Sequence, residues 1–561
     1  MFEKQCYIDI MDMAARAYSR ESIEEYYRRV RDGGLREHGF ARLAANLGIL
    51  IAHGRREELL SLFCDMMSLC CEQIPARCGA ANDFSVKEIM LCLMEVGRAG
   101  IVPGSLLERW LDGMKNIDPL KCYDAVVIPG GKQRYNWAVF CAVSEYMRQY
   151  CGLGDTEEFV RRQLVSQRSH FDDNGMYTDP HEPILYDICT REQIALLLHL
   201  GYDGPELEFL REQLVRSADL TLKAQSVTGE IAYGGRSNQM LFNEAMQAAL
   251  CEYYAAYFKA LGDINAAGEF KRSAELAANA LLGWLVREPR THVKNRWPYD
   301  SRMGCEKYAY FDKYMITVAS NAYMAYIMAD DGITPLSCPA DKGGYICRTG
   351  EMFHKTFCNA GGYFIEIDTL PDPAYDAAGV GRVHRAGAPS ALCLSVPFAA
   401  HPGYYIGKDN PGYLSLCPAR LENGEWRLGA DPETEYVPLK DCADRLSAGV
   451  DFRCNIAGGI VDFRCSAAED GVRLSVSGSG KVGIFVPLFE SDGAESTEIF
   501  MSDRTARVTY GRWYCDYTTN GIFTDTAEVY TNRNGVYRAA VASADGSVTV
   551  HIRMDSHPVV L

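Results

Sequence analysis

Apolar side chains recur three and four positions apart through roughly the first 335 residues, and Gly or Pro breaks each run. That spacing predicts helices over Ala41–His53, Glu57–Cys71, Val86–Ala99, Asn136–Cys151, Glu192–Leu200, Leu207–Lys223, Asn238–Leu261, Ala266–Val286 and Tyr314–Ala329. After Thr334-Pro335-Leu336 the period drops to two. Strands are predicted over Tyr363–Asp368, Ala391–Val396, Gly459–Cys465, Val472–Ser477, Val482–Val486, Ala506–Tyr510 and Ser547–Arg553. Val472, Leu474 and Val476 alternate with Arg473, Ser475 and Ser477, the mark of a half-buried antiparallel strand.

The fold expected is therefore multidomain, α then β. Residues 1–335 make an all-α domain, and residues 336–561 an antiparallel β-sandwich. Paired helices without a strict repeat point to an (α/α) toroid rather than a sequence-regular solenoid. Two long polar segments, Ser169–Thr190 and Pro289–Asp312, interrupt the helices and are expected to carry function.

Charge narrows the partner. The chain has 57 Lys+Arg against 74 Asp+Glu, a net charge of −17, which argues against a nucleic-acid binder. A local Arg-lined cleft for an acidic sugar is still compatible with that balance. No apolar stretch approaches the ~18 residues of a membrane span, and Met1–Arg20 lacks the apolar core of a signal peptide. The 21 cysteines are an odd number and show no Cys-x-x-Cys pair or zinc spacing, so free thiols in a reducing cytoplasm are expected. No cofactor and no metal is expected: Asp172–Gly175 matches only a fragment of a calcium loop. Self-association is left open.

Four clusters carry candidate chemistry. In the first, a Gly234-Gly235 turn precedes Arg236, Asn238, Gln239, Asn243 and Glu244. Arg236, Gln239 and Asn243 at i, i+3 and i+7 would share one helix face, apt to read a carboxylate or sugar hydroxyls. The second places Tyr186, Asp187 and Arg191 near a helix start; Asp187 is either an acid–base group or a partner for Arg191. The third, Trp297, Glu306, Tyr308, Tyr310, Asp312, Lys313 and Tyr314, has the aromatic density of a sugar platform, although part of it reads equally as helix-entry packing. The fourth is His384 with Arg382 and Arg385, able to reach back from the β domain.

The order of parts resembles the heparinase II/III-like and alginate-lyase-like enzymes and the uronic-acid glycoside hydrolases of the family 154 β-glucuronidase type. The local likeness is Ser237-Asn238-Gln239 with Asn243, then Tyr310 and Tyr314 on a later helix. Toroid lyases often place an Asn with a His at such a helix start; here Gln239 stands where the His is expected. The resemblance implies an enzyme acting at a uronic acid, with an acidic oligosaccharide or glucuronide as substrate.

Two mechanisms follow. Elimination would use Tyr310, Tyr314 or His384 for the proton and Asn238, Gln239 and Arg236 for the developing charge. Hydrolysis would use two of Glu244, Asp187, Glu306 and Asp312, with Glu244 as leading acid. Arg236 or Arg191 would grip the substrate carboxylate in either case. The missing His and the crowd of acids favour hydrolysis of a β-glucuronide, with a uronate lyase second and a non-catalytic glycan-binding protein third. Both bond-breaking readings require Arg236, Asp187 and Tyr310 to converge on one pocket, whereas a glycan-binding protein would need the aromatic platform but not the acids.

Overall fold

The computed structural model describes residues 3–76, 78–127 and 135–558. Six helices form a closed inner ring: Gly39–Ala52, Asn82–Ala99, Asn136–Tyr150, Ile184–His199, Phe242–Ala260 and Phe311–Met328. Each packs on the next and the last returns to the first. Their residues are buried on nearly every side, charged ones such as Glu88, Asp187, Arg191 and Glu244 included, as a ring enclosed by other helices demands.

The outer helices are amphipathic instead. Leu207–Lys223 buries Leu210, Leu214, Ser217, Ala218 and Thr221 and turns Glu208, Glu212, Arg216 and Asp219 to solvent. Outer helices Gln5–Ala15, Arg20–Gly33, Gly104–Lys115 and Glu157–Val165 go beyond the sequence expectation. The second opens on a Ser19 cap that accepts the Ser22 N–H. The assembly is an (α/α) toroid, and no helix among the described residues is long and apolar enough to cross a membrane.

Strands replace helices after Met328, the short helix Pro339–Lys342 aside. A four-stranded antiparallel sheet runs in sequence order through Tyr345–Arg348, Lys355–Ala360, Tyr363–Asp368 and Gly379–Arg385. An eleven-stranded antiparallel sheet is centred on the long paired strands Gly471–Ser491 and Val536–Ser556. The two sheets pack as a sandwich over Ile365, Ile367, Phe452, Phe463, Leu474 and Val550. Ala391–Val396, expected as a strand, is irregular and makes one bridge, Leu394 to Val383. Its apolar run lacks a period, and burial alone does not make a strand.

The small sheet is buried on both faces. Side chains alternate along a strand, so Cys358, Ile365 and Ile367 enter the sandwich while Phe357 and Phe364 face the toroid. There they meet Met176, Ile184, Leu220, Val227 and Ala232. The same face carries Lys355, Glu366, Asp368, Arg382 and His384, as the register requires. This apolar and ionic seam fixes one domain against the other.

Candidate active site

A cavity of about 670 Å³ opens at one end of the toroid. Its walls come from the first two turns of all six inner helices, or the residue just before them. His38 and Arg42 come from the first, Ala81 and Phe84 from the second, and Asn136, Trp137 and Phe140 from the third. Leu185, Tyr186 and Cys189 come from the fourth, Phe242 and Met246 from the fifth, and Lys313, Tyr314 and Thr317 from the sixth. Three loops complete it with Asp179–His181, Arg236-Ser237 and Tyr308. Helix N-termini carry partial positive charge, so six of them around one space favour an anion there.

Side-chain charge agrees. Arg42, Arg236 and Lys313 line the space, and Asp179 is its single carboxylate among the described residues. Asp179 is already ion-paired with Arg236, which also donates to the Pro180 carbonyl at 2.7 Å. Arg42 is anchored by Glu88 at 3.2 Å and Thr317 at 2.5 Å. Lys313 makes no ion pair among the described residues; burial lowers its pKa, against the pull of the Glu37 carboxylate nearby. His38 is buried, with Nδ1 unpartnered among the described residues. Burial and then Arg42 and Lys313 hold its pKa well below the usual histidine range, so the imidazole is neutral at pH 7.

Flat apolar surface supplies the rest. Phe84 packs edge-on against Trp137 and Phe140, at 4.8 and 4.6 Å between centroids, and Phe242 stacks on Tyr314 at 5.3 Å. The Arg236 guanidinium lies 4.4 Å from the Tyr186 ring centroid. Burial raises the Tyr186 pKa while Arg236 opposes the rise. The Tyr308 pKa is also raised, first by burial and then by Tyr186 and Glu306. Aromatic faces of the kind that can stack on a sugar ring, cations that can pair with an anion and hydroxyls that can exchange protons thus share one space.

The turn entering this wall departs from expectation. The helix predicted from Asn238 begins at Phe242, because Ser237 and Gln239 both adopt φ of 60°. Arg236, Gln239 and Asn243 therefore share no helix face. Gly235, with φ of 72°, donates its N–H to buried Asp376 at 2.6 Å and lies so close to Pro183 that a Cβ would clash at 2.8 Å. Asn238 Nδ2 donates to the Ala232 carbonyl, Asn243 Nδ2 to that of Ser237, and Gln239 accepts from Asn534 of the β domain. These three amides brace the turn and lie outside the cavity lining.

Of the expected site residues, Tyr186, Arg236, Tyr308, Lys313 and Tyr314 line the cavity. The expected convergence of Arg236, Asp187 and Tyr310 is corrected. Asp187 is buried and paired with Arg191, whose guanidinium also bonds Thr221 and Ser217. Tyr310 is 54% exposed and stacks under Arg302, because it precedes its helix and points outward. Glu244 shares Lys294 with Glu230, at 2.6 and 2.9 Å, in a buried cluster. Burial pushes the Glu244 pKa up; Glu230 is also buried, but Lys294, His384 and Arg382 bring its pKa down.

The remaining candidates hold the junction. His384 crosses from the β domain, as expected, but bonds Ser226 and Thr228 at 2.7 and 3.0 Å rather than reaching the cavity. Arg382 pairs with Glu366 and donates to the Ile231 carbonyl. Glu306 is buried against Arg533, Trp297 covers Gly493, and Asp312 is exposed beside Arg29. None of these lines the cavity. Conversely, His38, Arg42, Asn136 and Trp137 line it without having stood out in the sequence, and Asp179 and His181 line it from the Ser169–Thr190 segment expected to carry function, though neither was singled out as a site residue. His181 also borders a neighbouring space of about 250 Å³ walled by Lys355, Asp368 and Asp376.

No family model matches the chain, and no curated protein matches it either. Solved structures do. A chondroitin AC lyase from Streptomyces coelicolor A3 superposes with a TM-score of 0.52 at 10% identity, over 97% of this chain and 82% of that one. A chondroitin lyase that is a baculovirus envelope protein gives 0.44 at 8% identity, over 92% and 76%. Heparinase III gives 0.36 at 9%, over 84% and 77%. The Streptomyces enzyme establishes a shared fold, toroid followed by β-sandwich, along nearly the whole chain.

Proposed function

We propose that this protein is a carbohydrate-active enzyme that cleaves an acidic oligosaccharide beside a uronate by β-elimination. One observation carries the reading: among the described residues, the cavity gathers three cations and six helix N-termini but a single carboxylate, already paired with Arg236. Hydrolysis with two carboxylates, one on each side of the glycosidic bond, lacks its second acid there. Glu244, Asp187, Glu306 and Asp312, on which the hydrolytic expectation rests, all lie outside the lining.

Elimination needs other groups. The carboxylate beside C5 must be neutralised so that the C5 proton becomes acidic, a base must take that proton, and the leaving oxygen must receive one. Lys313, with Arg42 beside it, is the cation that has no ion pair among the described residues and so meets the carboxylate. Arg191, expected for that task, is consumed by Asp187. Tyr186, whose ring the Arg236 guanidinium covers, is the base, and the walls of Trp137 and Tyr314 seat the sugar ring. That the Streptomyces protein of like fold is a chondroitin AC lyase adds support.

The test is incubation with a panel of uronate polysaccharides, their oligosaccharides and simple glucuronides. Elimination leaves a conjugated double bond, so near-ultraviolet absorbance should grow with reducing ends. Reducing ends without absorbance would restore hydrolysis; binding without either would leave a glycan-binding protein.

A further inference from the structure

Three hydroxyls form a chain on one wall of the cavity. Ser237 Oγ lies 2.8 Å from Tyr308 Oη and 3.4 Å from Tyr186 Oη, and in each contact either oxygen can donate. The serine is held from several directions. Its N–H donates to buried Glu306, and its carbonyl accepts from Asn243 Nδ2 at 3.2 Å. Glu306 is clamped in turn by Arg533, which reaches in from the β-sandwich. The backbone at Ser237 sits at φ of 60°, a left-handed conformation that any residue but Gly, Asn or Asp adopts at a cost. Both backbone groups are spoken for, so the hydroxyl is the group that faces the two phenols.

We propose that Ser237 is a positioning and relay residue that passes a proton between Tyr186 and Tyr308 during the elimination. The inference rests on the elimination reading above. Tyr186 Oη takes the C5 proton as its own proton moves to Ser237 Oγ. The Ser237 proton moves to Tyr308 Oη, and the Tyr308 proton goes to the departing glycosidic oxygen. The C5–H electron pair becomes the C4–C5 double bond, and the C4–O pair leaves with the oxygen. Every hydroxyl ends the cycle neutral and with one proton, so no phenolate must exist beforehand. That suits phenols whose ionisation burial opposes. The polarity follows from Arg236, whose cation beside Tyr186 stabilises transient negative charge on the accepting end.

Ser237→Gly separates chemistry from structure. Gly adopts φ of 60° freely, so the turn should keep or gain thermal stability while the hydroxyl is lost. We expect kcat to fall about 100-fold or more, on the scale of lost acid–base catalysis, with KM within about threefold. The solvent deuterium effect on kcat should report several protons in flight in the parent and fewer in the variant. A variant with kcat within about threefold of the parent, or one whose losses track a fall in thermal stability, overturns the relay while elimination stands. A parent that forms no ultraviolet-absorbing product from any uronate overturns both.

Discussion

Arg533 and Glu306 join the two domains through a two-pronged ion pair, Nη2 to Oε1 at 2.8 Å and Nη1 to Oε2 at 3.1 Å, with both side chains buried. Arg533 sits in the turn between strands Ile522–Thr531 and Val536–Ser556, and Glu306 accepts the Ser237 N–H. The β-sandwich therefore sets the backbone of the cavity wall without touching the cavity. Removing one partner of such a pair strands a buried charge, which costs about 3–5 kcal/mol. Arg533→Met should lose that much stability in denaturant unfolding, and Arg533→Lys, which keeps charge but not the fork, should lose part of it. Unchanged stability in both would mean the pair does not hold the junction.

Lys313 should behave in the opposite sense. It is a partly buried ammonium without an ion pair among the described residues, and burial depresses its pKa. Lys313→Met removes a desolvated charge and keeps the stem, so stability should hold or rise. Substrate binding should suffer, with KM up roughly 10- to 100-fold, the scale of a charge-assisted hydrogen bond of about 1.5–3 kcal/mol. Affinity in the parent should also fall with salt more steeply than in the variant. Equal KM values on a uronate substrate would remove Lys313 from carboxylate recognition.

Arg236 tests the polarity of proton transfer. Its guanidinium covers Tyr186 and its ion pair holds Asp179. In Arg236→Met the larger of the forces opposing the rise of the Tyr186 pKa is gone, and the Ser237 hydrogen bond alone remains against it. The hydroxyl becomes a poorer acceptor of negative charge, so kcat should fall about 100-fold, and the alkaline side of the kcat profile should move to higher pH. A pure KM effect would instead assign Arg236 to ground-state binding.

How much of this is legible in the sequence depends on what a residue's neighbours in the chain reveal. Leu207–Lys223 emerges with its observed ends, because an outer helix displays a polar stripe beside an apolar one. Gln5–Ala15 does not, because its packing partner Phe311–Met328 lies far along the chain, and Glu157–Val165 does not, because so short a segment buries only Val160 and Leu164. The site divides the same way. Tyr186, Arg236, Tyr308 and Tyr314 stand in visible clusters of aromatics and cations. His38, Arg42 and Trp137 sit at the starts of ordinary helices, and only closure of the ring gathers them. The carboxylates mislead for a physical reason. A Glu in a polar segment looks alike whether it faces a cavity or, like Glu244, a buried Lys.

Glu244 gives that distinction a direct test. As a catalytic acid its replacement would abolish turnover. As a structural partner of Lys294 it should matter for stability alone. Glu244→Gln keeps the shape and an acceptor for Lys294, and Glu230 remains as the counter-charge at 2.9 Å. Turnover should stay within about fivefold of the parent, and denaturant unfolding should show a change of about 1–3 kcal/mol, the range for a disturbed buried polar partner. A loss of about a thousandfold in kcat without a stability change would return Glu244 to the chemistry.

Asp376 makes stability depend on pH. Its carboxyl is buried beneath the Gly234-Gly235 turn, accepts the Gly235 N–H, and has its pKa pushed by burial from 3.8 up to about 7, against the pull of Lys355. Between those values the folded chain holds a proton that the unfolded chain has released. Stability from this group therefore falls as pH rises from about 4 to about 7 and levels off above, where both states are ionised. Every tenfold difference in proton affinity between the folded and unfolded chain is worth about 1.4 kcal/mol. Asp376→Asn cannot ionise and keeps an acceptor for Gly235, so it should flatten that descent and gain on the parent most at pH 7 and above. Denaturant midpoints of parent and variant at pH 4, 5.5, 7 and 8 decide the matter. Parallel curves would show that Asp376 ionises alike in both states, and that its burial beneath the turn carries no pH-dependent stability.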